Sequence, residues 1–445
     1  MVNLICRSYI KNLQTTIQFS CAFLLTGCAS SIDASKDVKA AHELAREHLP
    51  VNVDSSLTWH ASEPLTVDGA IAYAISHDAM LQRDLAIIVQ RRAEIAQAEL
   101  PANPTFAGSF GIAIDGLSGA PLILQGMQNL SWIWTQPDRI ASAEQSLRQA
   151  ILTAANRTIE IVAKVRIAYH KAVFELELVQ LEKEDVELAK QLQIFIQQHE
   201  KVGEASIQDV DNANLAFIEI KHKLLIAQEK SDIAILDLLH LMGCPEKQIM
   251  PIILDSNSII LAKQTEEKLF AFAIENRLDL AIQRAMIAQR SAELGLANPP
   301  LITSSLMLNE NFADRKAILP GTGITIALDG EAKEAIADAK LKQAELQYVD
   351  AIRNVIKEIR VLYESHCTSV DKLRLDEKAL EITLQSFTRS QDASHKNEIH
   401  PISLLPIARS VVEAKKHILN DKLKLTTNAI KLEQAVGGSY KGMYK

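Results

Sequence analysis

Ala72-Tyr73-Ala74-Ile75 opens a stretch, Ala72–Pro101, that the chain contains twice. A shift of 199 residues, from 72 to 271, lays it on Ala271–Pro300 without a gap. Ala72-Tyr73-Ala74-Ile75 falls on Ala271-Phe272-Ala273-Ile274, Leu81 on Leu280, Gln90-Arg91 on Gln289-Arg290, and Ala93-Glu94 on Ala292-Glu293. Both copies run into proline, at Pro101 and Pro104 and at Pro299 and Pro300. A repeat of this length signals two copies of one structural unit of about 200 residues.

Each copy has the same order: an amphipathic helix, a proline stop, an alternating segment, a loop, a second alternating segment and a very long helix. After the first stop, Phe106, Gly108, Phe110, Ile112 and Ile114 alternate with Ala107, Ser109, Gly111 and Ala113. This period of two predicts a strand. Asp115–Gln125 reads as a loop, and Leu130, Trp132 and Trp134 then alternate with Asn129, Ser131 and Ile133. In the second copy Ile302, Ser304, Leu306 and Leu308 oppose Thr303, Ser305, Met307 and Asn309. Glu310–Pro320 reads as the loop, and Ile324, Ile326 and Leu328 oppose Thr325 and Ala327. None of these four expected strands carries a charge, which suits a membrane barrel with lipid on one side and a water-filled lumen on the other. The plainer alternative is two ordinary hairpins over a helical core. Four strands are too few to enclose a channel, so a barrel requires several chains.

Residues 1–27 read as a lipoprotein signal peptide. Arg7 and Lys11 precede a short apolar run, Ile17–Leu25, and Leu25-Thr26-Gly27-Cys28 resembles the bacterial lipobox, which marks Cys28 for lipidation. Ala29 and Ser30 follow, in place of the Asp that would favour the inner membrane. Residues 28–64 read as a polar tether or wrapping arm. Repeat 1 spans 65–243, with Thr66 as the N-cap of its first helix. From Asp138 to about Lys201 no Pro or Gly occurs, a coiled-coil length. Val162, Val165, Tyr169, Ala172, Leu176 and Val179 form a heptad seam. The helix breaks at Val202-Gly203-Glu204-Ala205-Ser206 and returns as Ile207–Met242. Residues 244–263 are a link, and repeat 2 spans 264–434. Its long helix is expected over Glu331–Gln391, with a seam at Val349, Ile352, Ile356, Ile359 and Tyr363. A polar break, Asp392–His400, precedes a return helix from about Pro401 to Gln434, and 435–445 form a tail.

Composition agrees with a mainly helical rod that has a small β part: 16 Gly and 13 Pro in 445 residues, and 5% aromatics. A net charge of −8 gives no basic surface for nucleic acid. Cys244 and Cys367 are left to pair or to stay as thiols. No Walker loop, CxxC or Gly-x-Ser-x-Gly elbow is present, and His42-Glu43 lacks the second His of a zinc-protease helix. His395, Glu398 and His400 have no standard metal-site spacing, so no enzyme activity, metal or cofactor is expected.

The order of these features, twice over, resembles the TolC-type outer-membrane efflux proteins, and with Cys28 their lipoprotein subgroup. The resemblance rests on Asn103-Pro104, Asn276-Arg277-Leu278-Asp279-Leu280, the tip Val202–Ser206 with Asp209-Val210, and Thr135-Gln136-Pro137-Asp138-Arg139. It implies tandem long-helix hairpins forming an α-barrel. It also implies a homotrimer in which each chain gives four strands to a shared twelve-stranded β-barrel in the outer membrane of a Gram-negative bacterium. The partners it implies are a periplasmic adaptor and an inner-membrane transporter, with Val202, Gly203, Glu204, Ala205, Ser206, His400 and Pro401 at the adaptor-facing tips. The acidic pair that such proteins carry after the second tip is replaced here by Leu404 and Ile407, flanking Pro406. Asp209 and Asp211 are then the acidic candidates for the periplasmic aperture; the alternative is that they are ordinary solvated carboxylates at a helix start. A competing function is a helical structural or adhesive lipoprotein that forms no pore.

Overall fold

The computed structural model describes residues 32–49, 59, 63–101, 103, 105–110, 122–129, 132–244, 252, 265–297, 302–311, 317–326, 330–396 and 403–438. Cys28, His400 and Pro401 lie outside these residues, as do the signal segment and most of the 244–263 link.

The repeat is reproduced as structure. Helices α2 (Val67–His77) and α3 (Ala79–Glu99) recur 199 residues on as α6 (Glu266–Asn276) and α7 (Leu278–Ala297), after an additional helix α1 (Ser35–His48). Their side-chain contacts recur too. Gln90 Nε2 donates to Glu94 at 2.9 Å and Gln289 Nε2 to Glu293 at 3.0 Å; Arg91 and Arg290 reach the same two carboxylates at 2.6 and 2.5 Å. Thr66 is the N-cap of α2, its Oγ1 accepting from Gly69 N at 3.0 Å.

Between the short and long helices of each repeat lies a β-hairpin: β1 (Thr105–Phe110) with β2 (Leu122–Asn129), and β3 (Ile302–Asn311) with β4 (Ala317–Ile326). The four form one antiparallel sheet in chain order, with Leu124 opposite Gly108 on one side and Glu310 on the other. The strand boundaries differ from the expected ones. Leu122–Gln125, expected in the loop, is in β2, while Trp132, Ile133 and Trp134, expected as strand, open a helix. The apolar–polar alternation there is too short to tell a strand from the start of a half-exposed helix. In repeat 2, β4 begins at Ala317, inside the expected loop, and β3 extends through Glu310, so the sheet does carry one charge.

The long helices are α4 (Trp132–Lys201, 70 residues) and α8 (Gly330–His395, 66 residues), about 105 and 100 Å long at 1.5 Å per residue. Pro137, expected at the helix start, lies in its second turn, where it forfeits one intrahelical bond. The residues around it hold the joint. Gln136 Nε2 donates to the Glu99 carbonyl at 2.7 Å, and Arg139 donates to the Ala98 and Leu100 carbonyls at 2.6 and 2.9 Å, satisfying the open end of α3. The return helices are α5 (Ile207–Met242) and α9 (Leu404–Ala435). Asp392–His395, expected in the polar break, continue α8.

Contacts place α5 on α4, α4 on α9, and α9 on α8, so four antiparallel helices lie in that order with α5 and α8 at the edges. The first seam is as expected except at Leu176, which is half-buried: Val162, Val165, Tyr169, Ala172 and Val179 are buried, and Tyr169 Oη donates to the Leu65 carbonyl at 3.0 Å. The second is met in part. Ile359 is fully buried, Ile352 and Tyr363 pack against its core and Ile356 is half-buried, while Val349 is exposed. The buried line of α8 also takes in Val355, His366, Ser369 and Leu373, and the polar His366 and Ser369 hid its continuation from a reading by hydrophobicity. A third cluster, Leu152, Ala155 and Ile159 of α4 with Leu278 and Ala285 of α7 and Ala45 of α1, joins the repeats. The wrapping arm is fixed by Trp59, edge-on to Tyr73, and by a two-pronged Arg92–Asp37 ion pair, Nε to Oδ2 at 2.7 Å. Cys244 lies beside the Tyr73 hydroxyl and Cys367 beside that of Tyr363, and no disulfide joins them.

Each return helix is followed by a left-handed glycine. Gly243 (φ +74°) packs on the carbonyl of His77, and Gly437 (φ +93°) on the backbone of Arg277, at the matching turns between short helices. These glycines are 194 residues apart (243 to 437), so the second long hairpin is five residues shorter than the first. A Cβ at 243 would sit 3.3 Å from the His77 carbonyl oxygen. Gly243→Ala is expected to cost about 1–2 kcal/mol from the left-handed backbone alone, read as a lower urea midpoint at constant m; an unchanged midpoint contradicts this reading.

Candidate functional site at the hairpin tips

The first tip is tightly built. His199 Nδ1 meets Glu204 Oε2 at 2.6 Å, Glu204 N donates to the His199 carbonyl at 2.9 Å, and Gly203 turns the chain at φ +78°. Ser206 caps α5 in a reciprocal box. Asp209 N donates to Ser206 Oγ at 3.1 Å, while Ser206 N and Oγ donate to Asp209 Oδ2 at 2.9 and 2.6 Å. These hydrogen bonds hold the Asp209 carboxyl below its ordinary range. One oxygen of this carboxylate is therefore engaged at the cap. Asp211 is exposed and, two residues on, points to the opposite side of the helix. The structure thus does not bring Asp209 and Asp211 together. Ser206 and Asp209, three apart, form a signature that sequence reading treated as separate features. Val202 and Ile207 flank the turn and are 69% and 73% exposed, an apolar tip facing solvent.

At the second tip, Leu404 and Ile407 lie in the first turns of α9, both half-buried, with Pro406 exposed between them. An open groove of about 460 Å³ follows between α8 and α9, lined by Asp376, Pro406, Arg409, Ser410, Glu413 and His417. Its charges are mixed, and no three metal-ligand side chains come together among the described residues.

Several turns above the tips lies an ion cluster that sequence reading missed. Asp185 on α4 is fully buried. It accepts from Arg409 Nε at 2.7 Å and from Lys416 Nζ at 3.3 Å, and Lys416 also reaches Glu182 at 2.9 Å and Glu413 at 3.0 Å. Higher on the same seam, Arg166 pairs with Glu433 at 3.0 Å, both buried. These contacts join the long helix of repeat 1 to the return helix of repeat 2. A signal was present: beyond Val179, the steps of three and four that keep one helix face lead to Glu182, Asp185 and Ala189.

Burial pushes the Asp185 carboxyl up, but the Arg409 hydrogen bond and the Lys416 charge outweigh it and hold it below 3.8. Burial pulls Lys416 down, and its bonds to Glu182 and Glu413 with the Asp185 charge more than restore it, to above 10.5. A depressed acid adds stability that is present above its unfolded value and lost as pH falls through the folded one. The Asp185 contribution is therefore complete above about pH 4 and disappears below it. Asp185→Ala leaves a buried ammonium short of a partner and is expected to cost about 3 kcal/mol. Urea titrations across pH 2–7 read both effects: the variant loses midpoint at neutral pH and also this part of the acid slope.

No family model matches the chain, and no curated protein does. Solved structures do. CusC, described in terms of folding and transmembrane channel formation, superposes with a TM-score of 0.70 at 16% identity, covering 88% of this chain and 97% of its own. The outer-membrane channel OprN gives 0.69 at 14%, covering 88% and 96%. The outer membrane protein VceC of Vibrio cholerae gives 0.67 at 14%, covering 84% and 97%. At these identities the likeness is one of architecture, and it covers 84–88% of this chain: the chain has the fold of the TolC-type outer-membrane channels.

Proposed function

We propose that this chain is the outer-membrane exit duct of a tripartite efflux or secretion system. It passively conducts cargo from a periplasmic adaptor and an inner-membrane pump to the exterior, with no enzymatic step and no cofactor. The observation that carries the reading is the sheet. Its four strands are antiparallel in chain order, and among the described residues β1 and β4 each pair on one side only. Open edges are untenable in lipid, so a spanning sheet must close. Three copies in sequence would close it as a twelve-stranded barrel. No described helix is long and apolar enough to cross a membrane. Cys28 would add a lipid anchor after removal of residues 1–27.

In this reading the hairpins continue the duct into the periplasm. Val202, Gly203, Glu204, Ala205, Ser206, His400 and Pro401 face the adaptor. Leu404 and Ile407, three copies each, form an apolar constriction that blocks ions by dewetting. Asp211 supplies the free acidic ring, and Asp209 mainly holds the tip. The tethered arm, two repeats, link and tail keep the boundaries 28–64, 65–243, 244–263, 264–434 and 435–445.

Planar-bilayer recording tests the duct. Leu404→Ser with Ile407→Ser should raise single-channel conductance, and Asp211→Asn should lower cation preference at similar conductance. Protein that inserts as a trimer yet never conducts would instead favour a non-pore lipoprotein. Intact-mass measurement of the mature chain should find a diacylglyceryl Cys28 at its N-terminus, and Cys28→Ala should remove the modification.

A further inference from the structure

Along the α4–α9 seam, Arg166, Glu182, Asp185, Lys416 and Glu433 are buried in pairs. The α8–α9 seam holds a buried titratable group of another kind. His366 is 5% exposed, and both its ring nitrogens are buried with no hydrogen-bond partner among the described residues. The polar groups beside it are turned to one another. Asn428 Nδ2 donates across the seam to Ser365 Oγ at 2.9 Å and to Ser369 Oγ at 3.0 Å. A neutral imidazole in this place lacks hydrogen bonds; an imidazolium there is an unpaired charge taken out of water, which costs far more.

The surrounding charges are engaged elsewhere or have the wrong sign. Within the chain, α8 packs on α9 along the seam and on α6 and α7 nearer its start. The charged groups of α9 around Asn428 are Asp421, Lys424, Lys431 and Glu433. Lys424 and Lys431 are exposed cations, and Glu433 is taken by Arg166 of α4. Asp421 is hydrogen-bonded to Asp376, which lies ten residues, about 15 Å, along α8 from His366. From α6, Glu266 faces Arg360, and Arg277, between α6 and α7, holds Glu358. Within one turn of His366 on α8 itself are Tyr363, hydrogen-bonded to Cys367, and the exposed Glu364. Burial is thus left to act on His366 and pulls its imidazole below 6.5.

We propose that His366 makes the α8–α9 hairpin a proton-sensitive joint: charging this buried ring loosens α8 from α9, while α9 stays paired to α4. The inference concerns the wall of the molecule and does not rest on the duct reading. A histidine held below its unfolded value loses stability as pH falls below that value, because the unfolded chain then binds more protons. The loss therefore begins near pH 6.5. Asp185 keeps its partners down to about pH 4, so between these limits only the α8 side is affected. The Asp376–Asp421 contact responds in the opposite sense. Burial and the neighbouring carboxyl push Asp421 up, so its contribution is lost as pH rises and that contact tightens on acidification.

The test is amide hydrogen exchange of the full chain in detergent micelles at pH 7.5 and pH 5.5, read by mass spectrometry and corrected for the intrinsic rate at each pH. Peptides covering 359–373 of α8 should exchange severalfold faster at pH 5.5. The ceiling is about tenfold, set by linkage one pH unit below the free imidazole value. Peptides covering 158–173 of α4 should keep the same corrected rate. His366→Leu, apolar and of similar size, and His366→Gln, polar and uncharged, should each abolish the difference, and Asp421→Asn should retain it. Equal corrected rates for 359–373 in the unmodified protein overturn the proposal. So does a difference that survives both His366 variants, or an equal acceleration of 158–173.

Discussion

A helix of 70 residues survives in water only if neighbours cover it along its length, and the rest of this chain is arranged to cover α4. Near the sheet, Leu147 and Ala150 belong to a core that also holds Ile88 and Ile95 of α3. Around the cylinder from there, Leu152, Ala155 and Ile159 meet α7. Through the middle, Val162 to Val173 share the core with α2 and α5. Towards the tip the cover is ionic, with Asp185 and Glu182 taken by α9. The short helices, the return helices and the wrapping arm are each placed by the stretch of α4 they close.

Much of this was legible because the repeat supplied two readings of every element. The 199-residue shift located α2, α3, α6 and α7, and proline- and glycine-free runs located the long helices. Thr66 was legible as a cap because its hydroxyl sits three residues before the donor it accepts. Where local pattern stood alone, reading failed. Asn129 to Trp134 alternate like a strand, yet Trp132 to Trp134 are helical, since so short an alternation does not separate a period of two from one of 3.6. The second seam was legible around Ile359, but its continuation was not, because His366 and Ser369 fill core positions.

The candidate site was the least legible part, and the cause is that charge there is paired through space. Asp185 and Arg409 lie 224 residues apart in sequence; the helical steps beyond Val179 place Asp185 on the seam face, but nothing near either residue names the other as its partner. Asp209 was identifiable as acidic, yet its role depends on Ser206, which engages one carboxylate oxygen at the cap. A buried ion cluster is costly to desolvate and adds little net stability over an apolar seam. What it does provide is discrimination: a slipped register would leave buried Asp185 without Arg409 and Lys416 with only Glu413 of its own helix.

The five residues missing from the second hairpin have a geometric consequence. Divided between two arms at 1.5 Å per residue, they make that hairpin about 4 Å shorter than the first. In the proposed ring of three chains, long and short hairpins would alternate, and the rim would be a crown of three high and three low merlons. Any six-membered collar seated on that rim would find two kinds of seat, so six identical collar subunits would have to split into two alternating sets.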